Sequence, residues 1–266
     1  MRSYLIALAA CAPVRQSPAP AERAAVLGEA FAIDSKVLGE RRTINVYLPP
    51  GYASATDRYP VLYMPDGGMA EDFPHVAGDV DVSIKNAVIR PVIVVGIENT
   101  ERRRDLLAAT TRADEREIAP HAGGSDRFRR FLRDELKPRI AARYRTTTES
   151  ALVGESFAGL FVVETLLVEP TLFDGYIAAD PSLWWNDEEL VAHANPRLVG
   201  WTAGPKRLYV AASSDAPLDA IDALFTALRI NAPAGVTWTY EPMPAERHAT
   251  IFPTAALHGV RTVFAP

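Results

Sequence analysis

Cysteine is almost missing from this sequence: Cys11 stands alone among 266 residues. A single thiol excludes an internal disulfide and any thiolate-held metal cluster. There is no basic excess either. The 28 lysines and arginines are outnumbered by 33 aspartates and glutamates, giving a formal charge of −5, so nothing suggests a surface built for a nucleic-acid backbone. HExxH, CxxC, P-loop and GxGxxG patterns are all lacking, and neither a metal nor a cofactor is implied. Long apolar runs are absent too. The run Tyr4–Ala10 is far too short to span a bilayer.

What is present begins with Met1-Arg2, that short apolar run, and "LAAC" at Leu8–Cys11. A charge, an apolar stretch and small residues are the parts of a secretory signal. The tetrapeptide resembles the lipobox of bacterial lipoproteins, which implies lipidation of Cys11. Residues 1–11 are therefore expected to be a signal peptide with lipobox, and residues 12–26, rich in proline and small residues, an extended tether. Residues 27–266 are expected to form one catalytic domain, periplasmic and held at a membrane surface by that lipid anchor.

Within that domain, strand-like and helix-like runs alternate. Phe31–Ser35 and Arg41–Tyr52 read as antiparallel strands. Val61–Met64, Val92–Ile97, Ser150–Ser156, Asp174–Asp180, Arg207–Ser213 and Val236–Met243 are mostly short and continuously apolar, as strands covered on both faces are. Between them, Phe128, Phe131, Leu132 and Leu136 form one apolar stripe of an otherwise charged helix, and "FAGLFVVETLLVEP" is apolar almost all round. The arginines of the charged helix are interrupted by Asp126, Asp134 and Glu135, which marks a solvated face. This alternation predicts an α/β sandwich with a mostly parallel sheet.

The segment "ALVGESFAGLF" places Ser156 where a buried strand hands over to a buried helix. At such a corner small neighbours permit a sharp turn that lifts a hydroxyl out of the sheet toward a ligand. A strict G-x-S-x-G needs glycine at 158; here Ala158 stands there and Gly159 follows. A nucleophilic serine needs a base, and His248 lies in a loop between the last strand and the last helix. A carboxylate after the strand "RLYVAAS" would orient it. Asp215 is expected in that role, with Asp219, Asp222 or a bare Ser-His dyad as alternatives. Oxyanion donors are expected from the Phe157 amide and from the loop "PDGGM", Pro65–Met69.

Several blocks, "YPVLYMPDGG", "IVVGIENTERRRDL", "RFLRDELKPRIAARYRT", "LFDGYIAADPSLWWND" and "ERHATI", together with the serine corner, resemble the putative-esterase family of α/β-hydrolases over residues 28–264. That family includes siderophore (enterobactin-type) esterases and is related to esterase D. The resemblance implies an α/β-hydrolase fold with helices on both faces of the sheet. It also implies cofactor-free hydrolysis of a small-molecule aryl, acyl or siderophore-like ester through an acyl-enzyme. Carried over, it makes Ser156 the nucleophile and His248 the base, places the oxyanion amides at Gly68 and Phe157, and sets Trp184 and Trp185 beside the site. Met69 is expected to shape substrate preference, and Arg104, with Arg102 and Arg103, to meet acidic substrate groups. Two positions depart from the family pattern: Glu155 replaces a histidine before the nucleophile, and Asp180 stands where a serine is usual. The rival readings are an acyltransferase on the same machinery and a non-catalytic binding lipoprotein.

Overall fold

The apolar runs pair into one eight-stranded sheet. A computed structural model of the chain describes residues 28–231 and 233–266; the expected signal peptide, Cys11 and the tether lie outside the described residues. The strands are β1 (Glu29–Ser35), β2 (Glu40–Tyr47), β3 (Tyr59–Met64), β4 (Ile93–Ile97), β5 (Thr146–Glu155), β6 (Gly175–Ala179), β7 (Lys206–Ser213) and β8 (Val236–Met243). Their spatial order is β1-β2-β4-β3-β5-β6-β7-β8. β1 pairs with β2, and β2 with β4, antiparallel; every other pairing is parallel. The α/β-hydrolase architecture with antiparallel N-terminal strands is thus the one observed.

Alternation along each strand divides the core into two layers. Val61 and Tyr63 of β3, with Ile93, Val95 and Ile97 of β4, face the layer containing Phe128, Phe161 and Leu224. Leu62, Met64 and Val94 face the opposite layer, where Val76, Ile251 and Val260 pack. Helices Ser125–Arg143, Phe157–Val168 and Leu218–Asn231 cover the first face, and Phe73–Lys85 and Ile251–Val263 the second. Helix Phe157–Val168 is apolar all round because the sheet lies on one side and other helices enclose the rest.

The charged helix is not uniform. Residues Leu132–Leu136 form a π-helical turn between two α-helical segments. The Lys137 N–H bonds the Leu132 carbonyl five residues back, and Pro138, which has no N–H to donate, follows at the start of the second segment. Among the described residues no helix is long and apolar enough to cross a membrane.

Candidate active site

The parallel strands deliver their carboxyl ends to one edge of the sheet, and the site is built there. β5 ends at Glu155, and Ser156 turns the chain into the next helix with φ 59° and ψ −117°. That left-handed backbone is strained for a residue with a side chain. Small neighbours make it possible. A Cβ on Gly154 would fall 2.6 Å from Ala158 Cβ, and one on Gly159 would fall 2.8 Å from the Ala179 carbonyl oxygen. The corner therefore depends on glycine at 154 and 159, while alanine at 158 is tolerated. Ser156 is clamped through its backbone: its N–H donates to the Ala179 carbonyl at 3.0 Å, and its carbonyl accepts from Leu160 at 2.8 Å and Ser182 at 3.1 Å.

His248 Nε2 lies 3.1 Å from Ser156 Oγ. The carboxylate at its other ring nitrogen is that of Asp180, not Asp215: Nδ1 to Asp180 Oδ2 is 3.1 Å. β6 is the immediate neighbour of β5, so the residue following β6 emerges beside the nucleophile. Asp180 is almost fully buried, and Ser213 at the end of β7 fixes it through its N–H (2.6 Å to Oδ1) and its hydroxyl (2.5 Å to Oδ2). A buried, fully hydrogen-bonded carboxylate is suited to hold an imidazole tautomer and to stabilise the imidazolium. Asp215 sits one strand further away on an exposed turn. Its Oδ2 accepts the His248 backbone N–H at 3.1 Å and Arg247 Nε at 2.9 Å, and these donors hold its carboxyl below the usual range. It thus ties down the histidine loop without touching the ring. Asp219 and Asp222 are exposed on the following helix and make no hydrogen bond to His248.

The expected oxyanion loop is present but arranged differently. The Gly68 N–H donates to Glu71 Oε2 at 2.7 Å and is already occupied. Asn99 Nδ2 bridges Glu71 Oε1 (2.9 Å) and Asp66 Oδ1 (2.5 Å), and Arg102 grips Asp66 at 2.6 and 2.8 Å, so the loop is braced from below. The amides of Met69 and Phe157 have no acceptor among the described residues. In this loop the free N–H is thus that of Met69, one residue beyond the expected Gly68. Phe157 opens a helix, where free N–H groups and the dipole favour developing negative charge.

The aromatic pair divides. Trp185 is core: its ring is buried, meets Phe157 edge-on at 5.8 Å and donates Nε1–H to the Ala108 carbonyl at 3.0 Å. Trp184 is exposed and packs on Phe157 at 6.0 Å, leaving a flat apolar face at the mouth. Met69 is exposed on the opposite loop.

Most of the arginines near the site are spent on ion pairs. Arg104, expected at the substrate, pairs with Glu40 and Asp105. Arg102 pairs with Asp66, donates to the Glu155 carbonyl at 3.2 Å and lies 5.9 Å from the Phe157 ring centroid. Arg112 pairs with Asp114 and Asp187, and Arg247 with Asp215. Arg103 and Arg116 bond the backbone carbonyls of Ile118 and Thr111. By contrast, Asp72, Glu98, Glu155 and Glu188 have no ion-pair partner among the described residues. Burial pushes the Glu155 carboxyl up to about 7, His248 and Arg102 opposing the rise and Asp72 and Asp180 adding to it. Burial also raises the Asp72 carboxyl, with Asp66 contributing.

The sequence expectation put Asp215, not Asp180, beside the imidazole, and the structure places Asp180 there. The signal was an acid directly after an apolar strand adjoining the nucleophile strand.

This geometry agrees with what comparison with known proteins finds. The family model described as putative esterase matches residues 35–221. The chain is 34% identical over 165 residues to the Bacillus subtilis ferri-bacillibactin esterase BesA, covering 55% of this chain and 56% of that one. It is 39% identical over 66 residues to the siderophore triacetylfusarinine C esterase of Aspergillus fumigatus, covering 24% and 23%. The chain thus spans about half, or less, of the length of these curated relatives. The crystal structure of an IroE-like serine hydrolase from Shewanella oneidensis superposes with a TM-score of 0.82 at 30% identity, covering 89% of this chain and 80% of that one.

Proposed function

Since this chain belongs to the putative-esterase family, we propose that it is an esterase that hydrolyses a siderophore-like carboxylic ester through an acyl-enzyme on Ser156. The observation that carries this reading is the continuous relay Ser156–His248–Asp180, with both links at 3.1 Å. Ser156 Oγ attacks the ester carbonyl while its proton passes to His248 Nε2, and Asp180 stabilises the resulting imidazolium. The oxyanion accepts hydrogen bonds from the Phe157 and Met69 amides. The carbon–oxygen bond to the alcohol then breaks as His248 returns the proton to it. Water, deprotonated by His248, attacks the acyl-enzyme and releases the acid, restoring the Ser156 hydroxyl. Ser156→Ala is expected to lower kcat by at least about 10⁴-fold; retention of nitrophenyl ester hydrolysis would refute the mechanism.

The charge at the mouth narrows the substrate. With Arg102, Arg104, Arg112 and Arg247 each matched by carboxylates and Asp72, Glu98 and Glu188 lacking a cationic partner among the described residues, the mouth disfavours a polyanion. The proposed substrate is therefore an uncharged or cationic ester, such as a neutral ferric hydroxamate, in preference to a triply anionic ferric catecholate.

A further inference from the structure

One hydroxyl at the site has no role in the relay. Ser182, in the segment following β6, is buried with 4% of its surface exposed. Its Oγ lies 3.3 Å from Ser156 Oγ and has no other hydrogen-bond partner among the described residues. The same residue's N–H holds the Ser156 carbonyl, so this hydroxyl is kept facing the nucleophile.

The direction of this contact follows from counting protons. Asp180 at Nδ1 requires a proton on that nitrogen, which leaves Nε2 as an acceptor. Ser156 therefore donates its only proton to His248, and only lone pairs remain toward Ser182. The Ser182 hydroxyl must be the donor, with Ser156 Oγ accepting.

We propose that Ser182 is a catalytic residue of the deacylation step, donating a hydrogen bond to Ser156 Oγ as that oxygen leaves the acyl group. The proposal rests on the esterase reading above. In the acyl-enzyme, Ser156 Oγ is an ester oxygen and a poor acceptor. When the tetrahedral intermediate formed by water collapses, the acyl carbon–Oγ bond breaks and its electron pair passes to Oγ. His248 delivers the proton to Oγ, and the acid departs. Negative charge grows on Oγ before that proton arrives, so the Ser182 bond strengthens on the way to the transition state. Attack in acylation is the reverse of this collapse and reaches a transition state of the same kind, but it starts from a hydroxyl oxygen that already accepts the Ser182 bond, whereas deacylation starts from an ester oxygen that accepts it weakly. The gain from ground state to transition state is therefore larger in the second half of the cycle.

The test is stopped-flow hydrolysis of 4-nitrophenyl acetate by wild type and Ser182→Ala, with active-site titration by a fluorophosphonate on both. The variant should label to the same stoichiometry and keep kcat/KM within about threefold. Its kcat should fall about tenfold, the value of one hydrogen bond. KM should fall in parallel, and acyl-enzyme should accumulate as a burst of nitrophenolate. An equal fall in kcat and kcat/KM, no change in either, or loss of labelling in the variant would overturn the proposal. Wild type inert to the fluorophosphonate would instead overturn the esterase reading on which it stands.

Discussion

Single atoms decide the division of labour between the two aspartates near His248. Asp180 meets the ring and Asp215 meets only the backbone of the loop. Asp180→Asn should therefore lower kcat by about 10²–10⁴-fold, by removing the charge that fixes the tautomer. Asp215→Asn should change it by no more than about fivefold, one exposed loop contact being worth little. Steady-state kinetics of the pair distinguishes them, and the reverse ranking would restore Asp215 to the relay. Glu155 makes a different prediction. Its carboxyl titrates near 7 in the folded protein against an ordinary 4.5, so the native state holds the proton more tightly than the unfolded chain. Stability must then fall as pH rises between those values, because ionising the group in place is unfavourable. Glu155→Gln should be more stable than wild type at pH 8 by about 1–2 kcal/mol, after allowance for partial exposure. The two proteins should converge below pH 4.5, where both are neutral at this position. Urea melts across that range provide the check.

At the scale of elements, the strand-to-helix corner is the part most sensitive to bulk. Gly154→Ala places a methyl group against Ala158, whose Cβ and backbone leave no room. The helix must shift or the left-handed Ser156 must relax. A loss of about 1–3 kcal/mol is expected, together with a fall in fluorophosphonate labelling rate at temperatures where the protein remains folded. This corner was legible in the sequence because its requirements are local: apolar strand, small residue, serine, small residue, apolar helix. The same holds for the strands, whose unbroken apolar runs announced burial on both faces, and for His248, stranded in the last loop. Asp180 was harder to assign. Which carboxylate reaches a histidine depends on which strands are neighbours, and β6 lies next to β5 only in the folded sheet. The π-helical turn was equally hidden, since a proline inside a helical pattern signals disturbance without saying how the backbone absorbs it. Gly68 was expected to donate to the substrate, and its capture by Glu71 depends on a side chain folding back three residues, which spacing alone does not reveal.

For the molecule as a whole, the relevant quantity is the field at the mouth. Counting arginines in "NTERRRDL" overstated the positive charge, because Asp105 of the same segment pairs with Arg104 and two further partners, Asp66 and Glu40, are brought in from separate stretches of chain. Matched aryl esters bearing a quaternary ammonium, no charge or a sulfonate should be hydrolysed with kcat/KM falling in that order. At low salt the two extremes should differ by at least about tenfold, and they should converge as salt shortens the Debye length to about 3 Å at 1 M. A sulfonate ester hydrolysed fastest would show that the acidic rim does not govern selection.

The relay also reports on the sheet that carries it. Ser156 follows β5, Asp180 follows β6, and Asp180 is fastened by Ser213 at the end of β7. Three adjacent strands must keep their ends level for one proton to move, so a slight fraying of β6 from β7 disconnects the imidazole long before the hydrophobic layers separate. Gradual heating should accordingly extinguish turnover several degrees ahead of the calorimetric transition, making enzymatic silence the earliest symptom of thermal damage.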